Sequence, residues 1–94
     1  MPLDRSHVES ALLRKGFIRR DGDHRFYLLV HEGKVTPIFT KVSHSPKHKT
    51  LDDSLLSSMA KQTKLTNKQF RQLVECTMSH EDYVEHLRSI GISL

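Results

Sequence analysis

The stretch Gly16-Phe17-Ile18-Arg19-Arg20-Asp21-Gly22-Asp23-His24-Arg25-Phe26-Tyr27-Leu28-Leu29-Val30-His31-Glu32-Gly33 decides the fold. Gly16 suits the stop of a preceding helix. Phe17 to Arg20 reads as a strand, and Asp21-Gly22 is a hairpin turn signal. His24 to His31 reads as a second strand. Phe26, Leu28 and Val30 lie on one face of it, and Arg25, Tyr27 and Leu29 on the other. Both faces carry apolar groups, which marks the central strand of a sheet. Glu32-Gly33 makes the next turn. Lys34 to Val42 forms a third strand, and Pro37, which cannot donate to a ladder, puts it at a sheet edge.

Upstream, Ser6-His7-Val8-Glu9 fits a capping box. Val8, Ala11 and Leu12 then mark one face of a helix. Arg14 and Lys15 fall in its last turn, where cations complement the helix dipole. Downstream, the polar run Ser43 to Lys49, with Pro46, reads as a loop. Asp52 or Asp53 caps a helix with Leu55, Leu56, Met59 and Ala60 on its apolar face. Thr66-Asn67-Lys68-Gln69 is a second capping box, followed by Phe70, Leu73, Val74 and Thr77 at helical spacing. Ser79 precedes a last helix with Tyr83, Val84, Leu87 and Ile90 on one face, stopped by Gly91. The expected class is α+β, in the order α-βββ-α. A three-stranded antiparallel sheet carries helices on one face, with extra C-terminal helices. Ninety-four residues make one domain, 1–94, with 79–94 a C-terminal helical extension.

Charge is divided unevenly. The net charge is +4, but residues 1–50 hold ten Lys/Arg against five Asp/Glu. Residues 51–94 hold five against six, and five of the seven histidines lie in the first half. The basic half is the expected face for phosphate or an acidic partner. No apolar run approaches the roughly 18 residues of a membrane span. Met1-Pro2-Leu3-Asp4-Arg5 lacks the apolar centre of a signal peptide, so a cytoplasmic protein without membrane partners is expected. Cys76 is the lone cysteine, which excludes an internal disulfide and suits a small buried group.

His24 is the candidate acid/base group, because imidazole titrates near neutrality. Arg19, Arg20 and Arg25 surround it in sequence as candidate phosphate ligands. The alternative is a packed, hydrogen-bonded histidine, since alternation places His24 with Phe26 and Leu28. His44-Ser45-Pro46-Lys47-His48-Lys49 resembles half of a zinc site. Without a cysteine pair it reads better as a basic loop, with Lys47 and Lys49 contacting RNA phosphates and no metal bound. Tyr27 and Phe39 are candidates for base stacking or for the core.

Leu13-Arg14-Lys15-Gly16-Phe17, then Arg20-Asp21-Gly22-Asp23-His24-Arg25-Phe26-Tyr27, resembles the HicA (YcfA-type) family of bacterial toxins. Lys49-Thr50-Leu51-Asp52-Asp53-Ser54-Leu55-Leu56 through Lys64-Leu65-Thr66 is similar to that family's second helix and its exit. The resemblance covers roughly residues 6–70. It departs at Asp23, where the family has serine, and in the longer stretch Val35 to Lys49. The resemblance implies a double-stranded-RNA-binding-like fold and a metal-independent, cofactor-free endoribonuclease, the mRNA interferase of a type II toxin–antitoxin pair. It implies His24 as the catalytic residue and a HicB-like antitoxin as protein partner. Two other readings stay open: a non-catalytic RNA-binding module, and an interaction domain in which Ser79 to Ile90 forms a homodimer or partner surface.

Overall fold

The computed structural model describes residues 3–42, 49–75 and 77–94. The elements run β1 (Leu3–Asp4), α1 (Arg5–Arg14), β2 (Phe17–Asp21), β3 (Arg25–His31), β4 (Lys34–Val42), β5 (Thr50–Leu51), α2 (Asp53–Gln62), α3 (Asn67–Val74) and α4 (His80–Ser89). β2, β3 and β4 form an antiparallel sheet with β3 in the centre. This is an α+β protein in which the helices cover one face of the sheet.

Alternation in β3 assigns the faces. Tyr27 and Leu29 are buried against the helices, with Phe17 from β2 and Ile38, Thr40 and Val42 from β4. Ile18, Val35 and Phe39 point to the other, open face and are exposed. β4 is an edge strand, as Pro37 requires. The ladder changes register between the pairs Leu28–Phe39 and Val30–Val35, so β4 carries a bulge around Pro37. Thr36 repairs it: its hydroxyl donates to the Leu29 carbonyl at 2.9 Å and accepts from the Ile38 N–H at 3.3 Å.

The hairpin at Asp21-Gly22 is wider than expected. Asp21 pairs with Arg25, leaving Gly22, Asp23 and His24 as a three-residue loop, closed by the Gly22 N–H donating to the His24 carbonyl at 3.0 Å. His24 therefore belongs to the loop and not to the strand. The start of α1 also differs. Asp4, not Ser6, is the N-cap and accepts from the His7 N–H. Glu9 is consequently free of a capping box and turns into the interior. A two-residue ribbon of β1 with β5, too short to carry a periodic signal, precedes both α1 and α2.

Asp52 caps α2, and the expected Thr66–Gln69 box caps α3. Ser79 and Asp82 form a further box at α4. Thr77 lies beyond the end of α3 and is exposed; Ile90 is the C-cap of α4 and is half exposed. The C-terminal helix packs its apolar face into the core. Tyr83 and Leu87 are fully buried. The Tyr83 ring stacks on Phe17 at 6.0 Å, and its hydroxyl donates to the Thr63 carbonyl at 2.7 Å. The Lys15 ammonium donates to the Met78 carbonyl at 2.6 Å. His80 Nδ1 sits 2.8 Å from the Lys15 carbonyl, which can only accept, so this nitrogen donates.

Gly16 lies directly against the His80 ring. Its φ is +94°, and an added Cβ would lie 2.5 Å from Nδ1 of His80. Gly16→Ala is expected to cost about 3 kcal/mol, from the strained backbone plus displacement of the His80 ring. Gly91 has a similar φ of +91° but open space around it. Gly91→Ala should therefore cost only about 1 kcal/mol. Parallel denaturant melts of the two variants check the difference, which isolates the contribution of the His80 contact.

Candidate functional site

Four neighbouring segments make a groove at the loop end of the sheet. α2 presents Leu55, Ser58, Met59 and Gln62 at helical spacing. The end of β4 adds Lys41 and Val42, β5 adds Leu51, and the β2–β3 loop adds His24. The volume is about 260 Å³. Strand alternation placed His24 with Phe26 and Leu28 on the open face. Its position in the loop releases it from that rule and brings it to the side of α2. His24 is partly exposed, as an acid/base group that must meet a ligand has to be.

Gln62 is held against the strand. Its Oε1 accepts from Thr40 Oγ1 at 2.6 Å and from the Lys41 backbone N–H at 3.2 Å. Lys41, Ser58 and Gln62 were not among the expected site residues. The signal for the last two was present: positions 55, 58, 59 and 62 form a second helical face beside the apolar one.

The arginines separate. Arg25 bonds Glu9 through Nη1, at 3.0 and 3.1 Å to the two carboxylate oxygens. Arg19 makes a two-point contact with Asp21, at 2.8 and 3.1 Å. Arg20 is exposed on the open face, in one cross-strand row with Phe26 and Lys41. Lys49 is exposed. Lys47, His44 and His48 lie outside the described residues, as does Cys76. Among the described residues no group of His, Cys, Asp and Glu is arranged to hold a metal ion, and no helix is long and apolar enough to cross a membrane.

Tyr27 is excluded as a stacking platform because it is buried on the helix side. Phe39 is 42% exposed, and its open-face neighbour is Phe26, with ring centroids 6.4 Å apart. The Tyr27 hydroxyl donates to Glu9 at 3.0 Å. Burial, then this bond and the charge of Glu9, push the Tyr27 phenol up to about 12. Folded Tyr27 thus keeps its proton where the unfolded side chain, with a pKa near 10, loses it. Its contribution is complete below pH 10 and is lost as pH rises through 12. Stability should fall across this window. Tyr27→Phe, compared with the parent in melts from pH 9 to 12, should lose part of the alkaline slope; Tyr83, also raised by burial, supplies the remainder.

No family model matches the chain, and neither a curated protein nor a solved structure does.

Proposed function

We propose that the chain is a metal-independent, HicA-like ribonuclease on a double-stranded-RNA-binding-like fold, with His24 as its acid/base group. The observation that supports this most is the placement of His24 with Lys41 on one groove beside an exposed aromatic and basic sheet face. His24 takes the proton from a ribose 2′-hydroxyl. The 2′-oxygen then attacks the adjacent phosphorus, the bond from phosphorus to the 5′-oxygen breaks, and water returns a proton to the leaving oxygen. The products are a 2′,3′-cyclic phosphate and a 5′-hydroxyl. Lys41 and Arg20 hold the phosphate charge as it grows. Arg25, bound to Glu9, is a positioning residue at the foot of the His24 loop. A HicB-like antitoxin would silence the protein by covering the groove.

Phe26 and Phe39, with Arg20 and Lys41 beside them, favour a second reading: a module that binds single-stranded RNA by stacking and charge without cutting it. One experiment separates the two. End-labelled single-stranded RNA and its all-deoxy counterpart are incubated with the protein in chelator. The proposed enzyme shortens the RNA and leaves the deoxy strand intact, because only RNA carries the attacking 2′-hydroxyl. Salt-sensitive binding of both strands, with neither cut, establishes the second reading.

A further inference from the structure

We propose that the open face of the sheet is a docking surface for an acidic amphipathic helix of a partner protein. The proposal stands without the ribonuclease reading. Alternation and register compose this face. Ile18, Leu28 and Phe39 form one cross-strand row, and Arg20, Phe26 and Lys41 form the next. Val30 and Val35 pair on the far side of the bulge. The helices cover the opposite face, while Ile18, Val35 and Phe39 stand 38%, 46% and 42% exposed. A contiguous apolar surface left open on a folded chain marks an interaction site.

The charges state what the partner carries. Arg20 and Lys41 flank Phe26 at one end of the face, and no carboxylate stands at an open-face position of the three strands. Among the described residues no carboxylate pairs with either cation. Covering unpaired cations with an apolar partner is costly, so the partner must bring acidic groups to that row. The open face of a second copy cannot supply them, because it holds the same cations and no acid. RNA fits less well, since nucleic-acid interfaces are polar and dense in positive charge. Here aliphatic side chains dominate. Phe26 and Phe39 lean on each other, with centroids 6.4 Å apart and 52° between the ring planes, instead of offering parallel shelves to bases. Dimensions select a helix. Strands β2 and β4 lie about 10 Å apart across β3, which matches the roughly 10–12 Å diameter of a helix. The seven residues of β3 span about 23 Å, or about four helical turns. Apolar residues at i, i+3, i+4 and i+7 would cover the row of Ile18, Leu28 and Phe39, with Asp or Glu over Arg20 and Lys41.

The test is an unbiased selection. A display library of helical peptides of about 18 residues, randomised along one face, is selected on the intact chain. Enriched peptides are sequenced and titrated into the labelled protein by NMR. They should carry apolar residues at helical spacing, with Asp and Glu in excess of Lys and Arg. They should move the signals of Ile18, Leu28, Val35 and Phe39. Phe39→Glu should weaken them about 30-fold or more, and Val35→Glu about tenfold. Both positions are already exposed, so a thermal melt should show both variants folded. The double reversal Arg20→Glu with Lys41→Glu should weaken the acidic peptides about 100-fold, since like charges then meet. No enrichment, enrichment without an acidic excess, signals that move in the α2–β4 groove instead, or affinity that survives both the Phe39 change and the charge reversal would overturn the proposal. Oligouridylate that moves the same signals and binds more tightly than any peptide would assign the face to RNA and overturn it. A concentration-dependent mass that Phe39→Glu abolishes would assign the face to a second copy, with the same consequence.

Discussion

His24→Ala is expected to reduce RNA cleavage about 100- to 10,000-fold, the span that positioned acid/base groups contribute. Binding should change little, because Lys41 and Arg20 remain. The fold should survive as well. His24 sits in a three-residue loop whose closing bond uses its backbone carbonyl, and its ring is partly exposed. Tm should therefore stay within about 3 °C of the parent, as for surface substitutions generally. His24→Gln sharpens the test, since glutamine keeps hydrogen-bonding capacity but cannot carry a proton between groups. It should be as inactive as alanine. Single-turnover cleavage and a thermal melt on the same samples separate a chemical role from a structural one. Loss of activity in step with loss of Tm would identify a packed histidine.

Glu9→Ala is expected to cost about 3 kcal/mol of stability, because it takes the partner from two side chains at once. Arg25 loses both of its Glu9 contacts, and the buried Tyr27 hydroxyl loses its acceptor. The side chains of Glu9 and Arg25 are only 12% and 24% exposed, so water compensates incompletely. For a chain of this size the loss corresponds to a fall in Tm of roughly 12–20 °C. Glu9→Gln keeps the shape and one acceptor for Tyr27 and should lie between. The double variant Glu9→Ala with Arg25→Met should recover part of the loss, because no unpaired charge is left behind. Denaturant melts of the four proteins provide the cycle.

The sheet was legible where alternation ran long enough. The two-faced β3 marked the central strand, and Pro37 marked the edge. The interior role of Glu9 was hidden because Ser6 and Glu9 match a capping box, whereas Asp4 is the cap and Glu9 pairs with Arg25. Leu3–Asp4 and Thr50–Leu51 are two residues each, too short for any period to appear. The last helix read as an addition because its apolar face gave no hint of its partner, which is the Phe17 ring far away in sequence. At the site, His24 was identifiable by chemistry, while its direction depended on a loop one residue longer than Asp21-Gly22 signals. Gln62 was placed by helical spacing beside Leu55, Ser58 and Met59, but its contact with β4 through its oxygen was not legible in the sequence.

The chemical identity of the new ends in cleaved RNA is the most direct measurement of the central claim. Parent protein in chelator should leave 2′,3′-cyclic phosphate and 5′-hydroxyl ends, with none formed by His24→Ala. Intact RNA, or fragments ending in a 3′-hydroxyl that appear equally with both proteins, would contradict a ribonuclease centred on His24.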